Sequence, residues 1–292
     1  MDRRNNIVDV FDRSAVVRRR GVFQILNVFG LLGFLLVNFL ANALPLNGKY
    51  TGELSDQYPN LFVPAGLTFA IWGLIYILFI LFATYQFRKV FRTSPGRNFL
   101  DDVGILFFVS CLANMAWIFA WHYEMVALSM AIMVILFLSL LGVYIRLGIG
   151  LKSVSMKEKM YVHAPFSIYL GWITIASIAN ATALLVDAGW GGMGMSEVFW
   201  TVFAIGAGTL VTVLILLRRK DIFFAAVPVW AFAGIILKRA TTSPLYGYIV
   251  VASFAGIVII LITAAASRMG FGGVDWPMRG PTVTCCCREK TS

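Results

Sequence analysis

Charge is what this sequence has least of. Asp, Glu, Lys and Arg make up 13% of its 292 residues, about half their share in a soluble domain, while its 60% of hydrophobic residues exceeds the usual half. A water-soluble fold is not the expectation. Histidine is scarcer still: only His122 and His163 are present, a weak basis for a metal site. The four cysteines, Cys111 and the run Cys285, Cys286 and Cys287, lack the spacing of a metal site or a disulfide framework. No apolar segment alternates with the two-residue period of an outer-membrane strand. Helices, which close their hydrogen bonds internally, remain as the way to cross hydrocarbon.

What is there is apolar sequence in long uninterrupted blocks. Eight blocks stand at 22–44, 64–85, 103–121, 125–144, 164–186, 198–217, 222–237 and 246–266, most of them near the twenty residues that span about 30 Å of bilayer core at 1.5 Å per residue. The expected fold class is an all-α integral membrane protein in the form of a helical bundle. With eight spans the loops fall into two sets, and twenty-one of the Lys and Arg residues lie in the set that includes both termini, against three, Lys49, Lys238 and Arg239, in the other. The positive-inside rule then places both termini in the cytoplasm, in a membrane that the sequence does not name. The net charge of +10 is thus a matter of topology, and no soluble basic domain offers itself to nucleic acid. The start, "MDRRNNIVDVFDRSAVVRRR", is read as retained, because the block behind it is of full span length with no small-residue cleavage pattern.

The spans themselves lack charge, which argues against an ion-coupled relay. His122, Glu124, His163 and Asp187 are expected at the interface, and Lys238 beside Arg239 reads as snorkelling from a span end. Uncharged polar residues do occur inside, among them Asn38, Asn114 and Asn180, as candidate interhelical hydrogen-bonding groups. "NAT" at 180–182 fits a glycosylation acceptor, but its depth should hide it. Trp121, Trp190 and Trp200 suit an interfacial belt. Trp72, Trp117 and Trp172 lie within three different spans, where each indole must be packed and its N–H must find a partner. Packing explains any one of them; together they can wall a flat apolar cavity. In the tail, Cys285, Cys286 and Cys287 beside Arg288 and Lys290 are candidates for S-acylation, with plain thiols as the alternative.

Three motifs carry a resemblance. "VPAGLTFAIWGLIY" contains Pro64, Phe69, Trp72 and Tyr76; "LANMAWIFAW" has Asn114 and Trp117 at Asn-x-x-Trp spacing; "YLGWITIASIAN" has Tyr169, Trp172, Ala176 and Asn180. In this order they resemble the TspO/MBR family, the tryptophan-rich sensory and translocator proteins. The resemblance covers about residues 22–190 as a five-helix unit. It implies a TspO-like bundle preceded by a basic segment at 1–21 and followed by three further transmembrane helices at 191–266 and a tail at 267–292. It also implies a cavity for a tetrapyrrole or sterol, with Pro64, Phe69, Trp72, Tyr76, Asn114, Trp117, Trp172, Ala176 and Asn180 as binding residues. Departures fall on ligand identity. A double proline is reduced to Val63-Pro64, Ile168 stands where the family has proline, and the tryptophan-containing first loop is replaced by "LNGKYTGELSDQYPN".

The leading expectation is a non-enzymatic binding, sensory or carrier protein for a porphyrin-like or sterol-like lipophile. A transporter of lipophilic molecules and a structural or assembly subunit are the alternatives. An enzyme is disfavoured, since no Ser-His, Cys-His or paired-carboxylate arrangement shares a span face. The expected partners are the bilayer and a lipophilic small molecule, with a homodimer or another membrane protein also compatible. Two cholesterol-type patterns, "LFATYQFR" and "LGVYIR", are of the kind that any span leaving the membrane through Tyr and Arg will match.

Overall fold

A computed structural model describes residues 2–44, 46–49, 51–58, 60–90, 98–242 and 246–269, and among these all regular structure is helical. In chain order the helices are α1 (Asp2–Ala43), α2 (Thr51–Gln57), α3 (Ile71–Val90), α4 (Phe99–Val103), α5 (Leu106–His122) and α6 (Val126–Leu147). They continue with α7 (Met156–Glu158), α8 (Ala164–Asp187), α9 (Glu197–Arg219), α10 (Ile222–Ala240) and α11 (Gly247–Arg268). A π-turn over Lys159–His163 joins α7 to α8. Seven of these segments are long and apolar enough to cross a membrane, and α5 is a shorter apolar helix of 17 residues. The eight apolar blocks thus all emerge as helices of an all-α membrane protein. The cysteine run at 285–287 lies outside the described residues.

Two helix starts differ from the hydropathy reading. The block from residue 103 is interrupted because Gly104 adopts φ 51° and ψ −139°, a conformation open to glycine and closed to side-chain-bearing residues. The block from residue 64 begins as extended chain and a 3-10 turn over Gly66–Ala70, and only then becomes α3.

Helices α1, α3, α5, α6 and α8 enclose an aromatic core. Phe79 stacks on Phe107 at 4.8 Å, and both meet Phe166 edge-on. Helices α9, α10 and α11 pack on one another, and α10 also docks on α8. At that seam Gly171 packs tightly: a Cβ there would stand 3.1 Å from the Phe224 carbonyl oxygen and would push the two helices apart by a few tenths of an ångström. Small residues at such crossings let helix backbones approach where lipid offers no hydrophobic drive to association. Tyr85 and Tyr144, the tyrosines of the two cholesterol-type patterns, are buried in the bundle, and Tyr144 donates to Asp221 Oδ2 at 2.9 Å. Neither pattern presents its ring to lipid.

The face bearing the start of α1 is tied by Asp101, which accepts from Arg20 at 2.7 and 2.9 Å and from Arg19 at 3.2 Å. Burial opposes the charged carboxyl, but the hydrogen bonds and charges of Arg20 and Arg19 outweigh it and hold Asp101 below its ordinary pKa. On the opposite face Lys49 pairs with Glu124 and Lys238 with Asp56.

Candidate functional site

The α5 and α8 sequences each place a tryptophan on the inward helical stripe, and helix geometry then decides what those rings meet. Trp117 and Trp121 are four residues apart, so α5 brings them to one face, where they stack at 5.8 Å with planes 14° apart. Trp172 on α8 receives Phe69 edge-on at 5.9 Å and Trp72 edge-on at 6.2 Å. Between these rings lies a cavity whose wall includes Pro64, Phe69, Trp72, Trp117, Trp172, Ala176 and Asn180. Those seven of the sequence-derived candidates are therefore brought together. Tyr76 and Asn114 are not on that wall. Tyr76 packs behind Trp72, stacked at 5.9 Å, and Asn114 Oδ1 accepts from Asn38 Nδ2 at 2.7 Å, joining α5 to α1.

Sequence reasoning assigned Trp121 to the interfacial belt, but it is only 5% exposed and lines the cavity. Its proximity to the helix end suggested the belt; its spacing from Trp117 was the signal for the wall. Trp190 and Trp200 stay toward the surface, 4.8 Å apart. His122, the last residue of α5, and His163, directly before α8, stand at span ends and are buried within the protein; His122 Nδ1 lies 3.2 Å from the Leu46 carbonyl. Ala231 and Ile235 of α10 complete the wall, a contribution that hydropathy alone gave no reason to expect.

The polar groups of the wall divide into paired and unpaired. Trp117 Nε1 donates to Asn180 Oδ1 at 2.8 Å. Asn180 Nδ2 donates to Ser129 Oγ at 3.0 Å, and Ser129 in turn donates to the Val126 carbonyl at 2.8 Å. Asn180 thus joins α5, α6 and α8, and it is buried at the "NAT" triplet as its depth implied. The Nε1 atoms of Trp121 and Trp172, by contrast, are buried without a partner among the described residues. Indole is a donor only. The wall carries no ionisable side chain, so an occupant would meet apolar faces and N–H donors but no charge.

The chain segment around Pro64 forms the rim. Its backbone is not helical, so its polar groups need partners from elsewhere, and α10 supplies them. Arg239 Nε donates to the Leu61 carbonyl at 3.0 Å and its NH2 group to Asn60 at 3.1 Å and Val63 at 3.4 Å. Trp230 Nε1 donates to the Thr68 carbonyl at 2.8 Å, and Ala65 N donates to the Gly234 carbonyl at 3.0 Å. The hydropathy block at 222–237 stops short of Arg239, but α10 runs on to Ala240 and the arginine is 6% exposed. Closed in this way, the cavity leaves about 70 Å³ free, well below the roughly 300–1,000 Å³ of a pocket for a drug-sized ligand.

No curated protein and no solved structure matches the chain. Among protein families, the one described as TSPO-like protein matches residues 24–266, from the middle of α1 nearly to the end of α11. The match takes in the three tryptophan motifs, the cavity they form and the α10 wall behind it. On that extent, the chain belongs to the TSPO-like protein family.

Proposed function

We propose that this membrane protein binds a flat lipophile of the sterol or porphyrin kind in the tryptophan-walled cavity, as a sensor or carrier without catalysis. The observation that carries the reading is the pair of buried indole N–H groups of Trp121 and Trp172, without a partner among the described residues, on a mostly apolar and uncharged wall. An unpaired buried donor costs about 1–3 kcal/mol, and an occupant bearing a hydroxyl or carbonyl oxygen would remove that cost. A sterol fits this pattern better than a porphyrin, whose carboxylates would have to stay at the rim because the wall offers them no cation. Pro64, Phe69, Trp72, Trp117, Trp172, Ala176 and Asn180 are the proposed contacts. Either ligand exceeds the free volume of about 70 Å³, so binding requires the rim around residues 60–65 to move outward.

That small volume favours the competing reading, in which the tryptophans only pack. Titration of the purified protein with cholesterol and with protoporphyrin, followed by tryptophan fluorescence, separates the two. Binding predicts saturable quenching, weakened about fivefold or more by Trp72→Leu or Trp172→Leu through lost stacking worth about 1 kcal/mol. Packing alone predicts lower melting temperatures in both variants and no saturable signal in the parent. Flux across proteoliposomes would add transport to binding.

A further inference from the structure

A second cavity, of about 280 Å³, lies on the basic face, away from the tryptophans, where the loop after α6 meets the junction of α9 and α10. The sequence builds it with three tight features. Gly148 ends α6 in a left-handed conformation at φ 66°. Gly150, at φ 79°, lies so close to α9 that an added Cβ would be 1.9 Å from the Arg219 carbonyl oxygen. Lys220 turns the chain at φ 52°, and Asp221 then caps α10 by accepting from Phe223 N at 3.0 Å and Phe224 N at 3.3 Å.

The lining is unbalanced in charge. Lys152, Lys159, Arg219 and Lys220 surround the space, with His163 buried beside them. Asp221 is the one carboxylate of the lining, and both of its oxygens are occupied: Oδ1 caps the helix, and Oδ2 accepts from Tyr144 at 2.9 Å and Ser167 at 2.7 Å. Lys152 is partly committed, through the Arg146 carbonyl at 3.0 Å and Asp102 at 3.7 Å. Arg219 is held in place by its NH1 bond to the Ile149 carbonyl at 3.0 Å and by the Tyr144 ring 5.0 Å from its Cζ, leaving other donors of its planar fork for an anion. The side chains of Lys159 and Lys220 make no hydrogen bond or ion pair among the described residues.

Like charges gathered around a space repel unless an anion sits among them. Chloride brings one charge and no oxygens, and a carboxylate one charge on two oxygens. A tetrahedral phosphate, with several oxygens and up to two negative charges, matches an arginine fork flanked by lysines. Basic pockets between transmembrane helices at headgroup depth are suited to the phosphates of anionic lipids.

We infer that this basic cavity binds a phosphoryl group, delivered by an anionic lipid headgroup or as a free phosphate. The assignment does not depend on the tryptophan cavity. The full-length protein in phosphatidylcholine nanodiscs is titrated with inorganic phosphate by calorimetry at constant ionic strength, and native mass spectrometry reads retention of phosphatidic acid from mixed nanodiscs. Saturable phosphate binding identifies free phosphate as sufficient; selective retention of phosphatidic acid without it identifies the headgroup as the source. In either case Lys159→Gln with Lys220→Gln should weaken the interaction about tenfold, since two charged donors are removed. Lys157→Gln with Arg218→Gln, an equal loss of charge on the same face but outside the cavity, should change it less than twofold. Equal weakening by the two pairs would show surface attraction alone and overturn the assignment. Absence of saturable binding in both arms would overturn it as well.

Discussion

Asn180 shows how one residue serves both packing and a site. Taken from the sequence alone, an asparagine in an apolar span is a candidate for interhelical bonding, and so is Asn114. The structure separates them: Asn114 bonds Asn38 away from the cavity, whereas Asn180 holds the Trp117 indole in the cavity wall. Asn180→Ala should lower stability by about 1 kcal/mol, within the range for hydrogen bonds between membrane helices, because Trp117 and Ser129 lose their shared partner. Thermal denaturation in mild detergent checks this, and an unchanged midpoint would show that the two groups find other partners. The residue types of the wall were legible because tryptophan and asparagine stand out in apolar helices. Trp121 was misread because proximity to a helix end and a four-residue spacing gave opposite advice, and packing followed the spacing.

Among the elements, the segment from Asn60 to Ala70 and helix α10 depend on each other. Pro64 and Gly66 disfavour regular helix at that point, and a non-helical stretch beside the core leaves carbonyls in need of donors. Arg239 answers three of them across 176 to 179 residues of sequence. Gly234 lets α10 come close enough, since a Cβ there would fall 1.9 Å from Thr68 Oγ1. Local pattern revealed that α10 exists but not what it holds, because every partner is distant in the chain. Arg239→Gln should therefore raise hydrogen exchange at residues 60–70, with a loss of stability of about 1–3 kcal/mol as buried carbonyls lose a charged donor. Lys238→Gln, which breaks an exposed ion pair, should cost less than about 1 kcal/mol. Equal exchange in the Arg239→Gln variant and the parent would mean that other contacts hold the rim. If the rim opens to admit ligand, the same variant should speed quenching by cholesterol, which ties α10 to access as well as to shape.

At the scale of the whole molecule, the hydropathy blocks and the charge division were the most legible features, because a bilayer imposes span length and loop charge on almost any sequence that crosses it. The relation between the first five and the last three spans was not legible, since it rests on glycine contacts such as Gly171 on α8 and on α10 reaching the cavity. The structure supplies two faces, and the charge division predicts which compartment each one meets. Helix alternation puts Lys157, before α8, on the face with the start of α1, and Gln57, the last residue of α2, on the other. Both residues are exposed, so a cysteine at either position is open to reagent with little effect on the fold. With Cys285, Cys286 and Cys287 replaced by serine and Cys111 left buried, Lys157→Cys should react with an impermeant maleimide applied from the cytoplasmic side of sealed vesicles, and Gln57→Cys only after permeabilisation. The reverse pattern would place twenty-one basic residues outside and refute the orientation. Reaction of both positions from one side would be more damaging, since it requires an even number of crossings between them and contradicts the three successive crossings of α3, α5 and α6 that put the basic cavity on the same face as the start of α1.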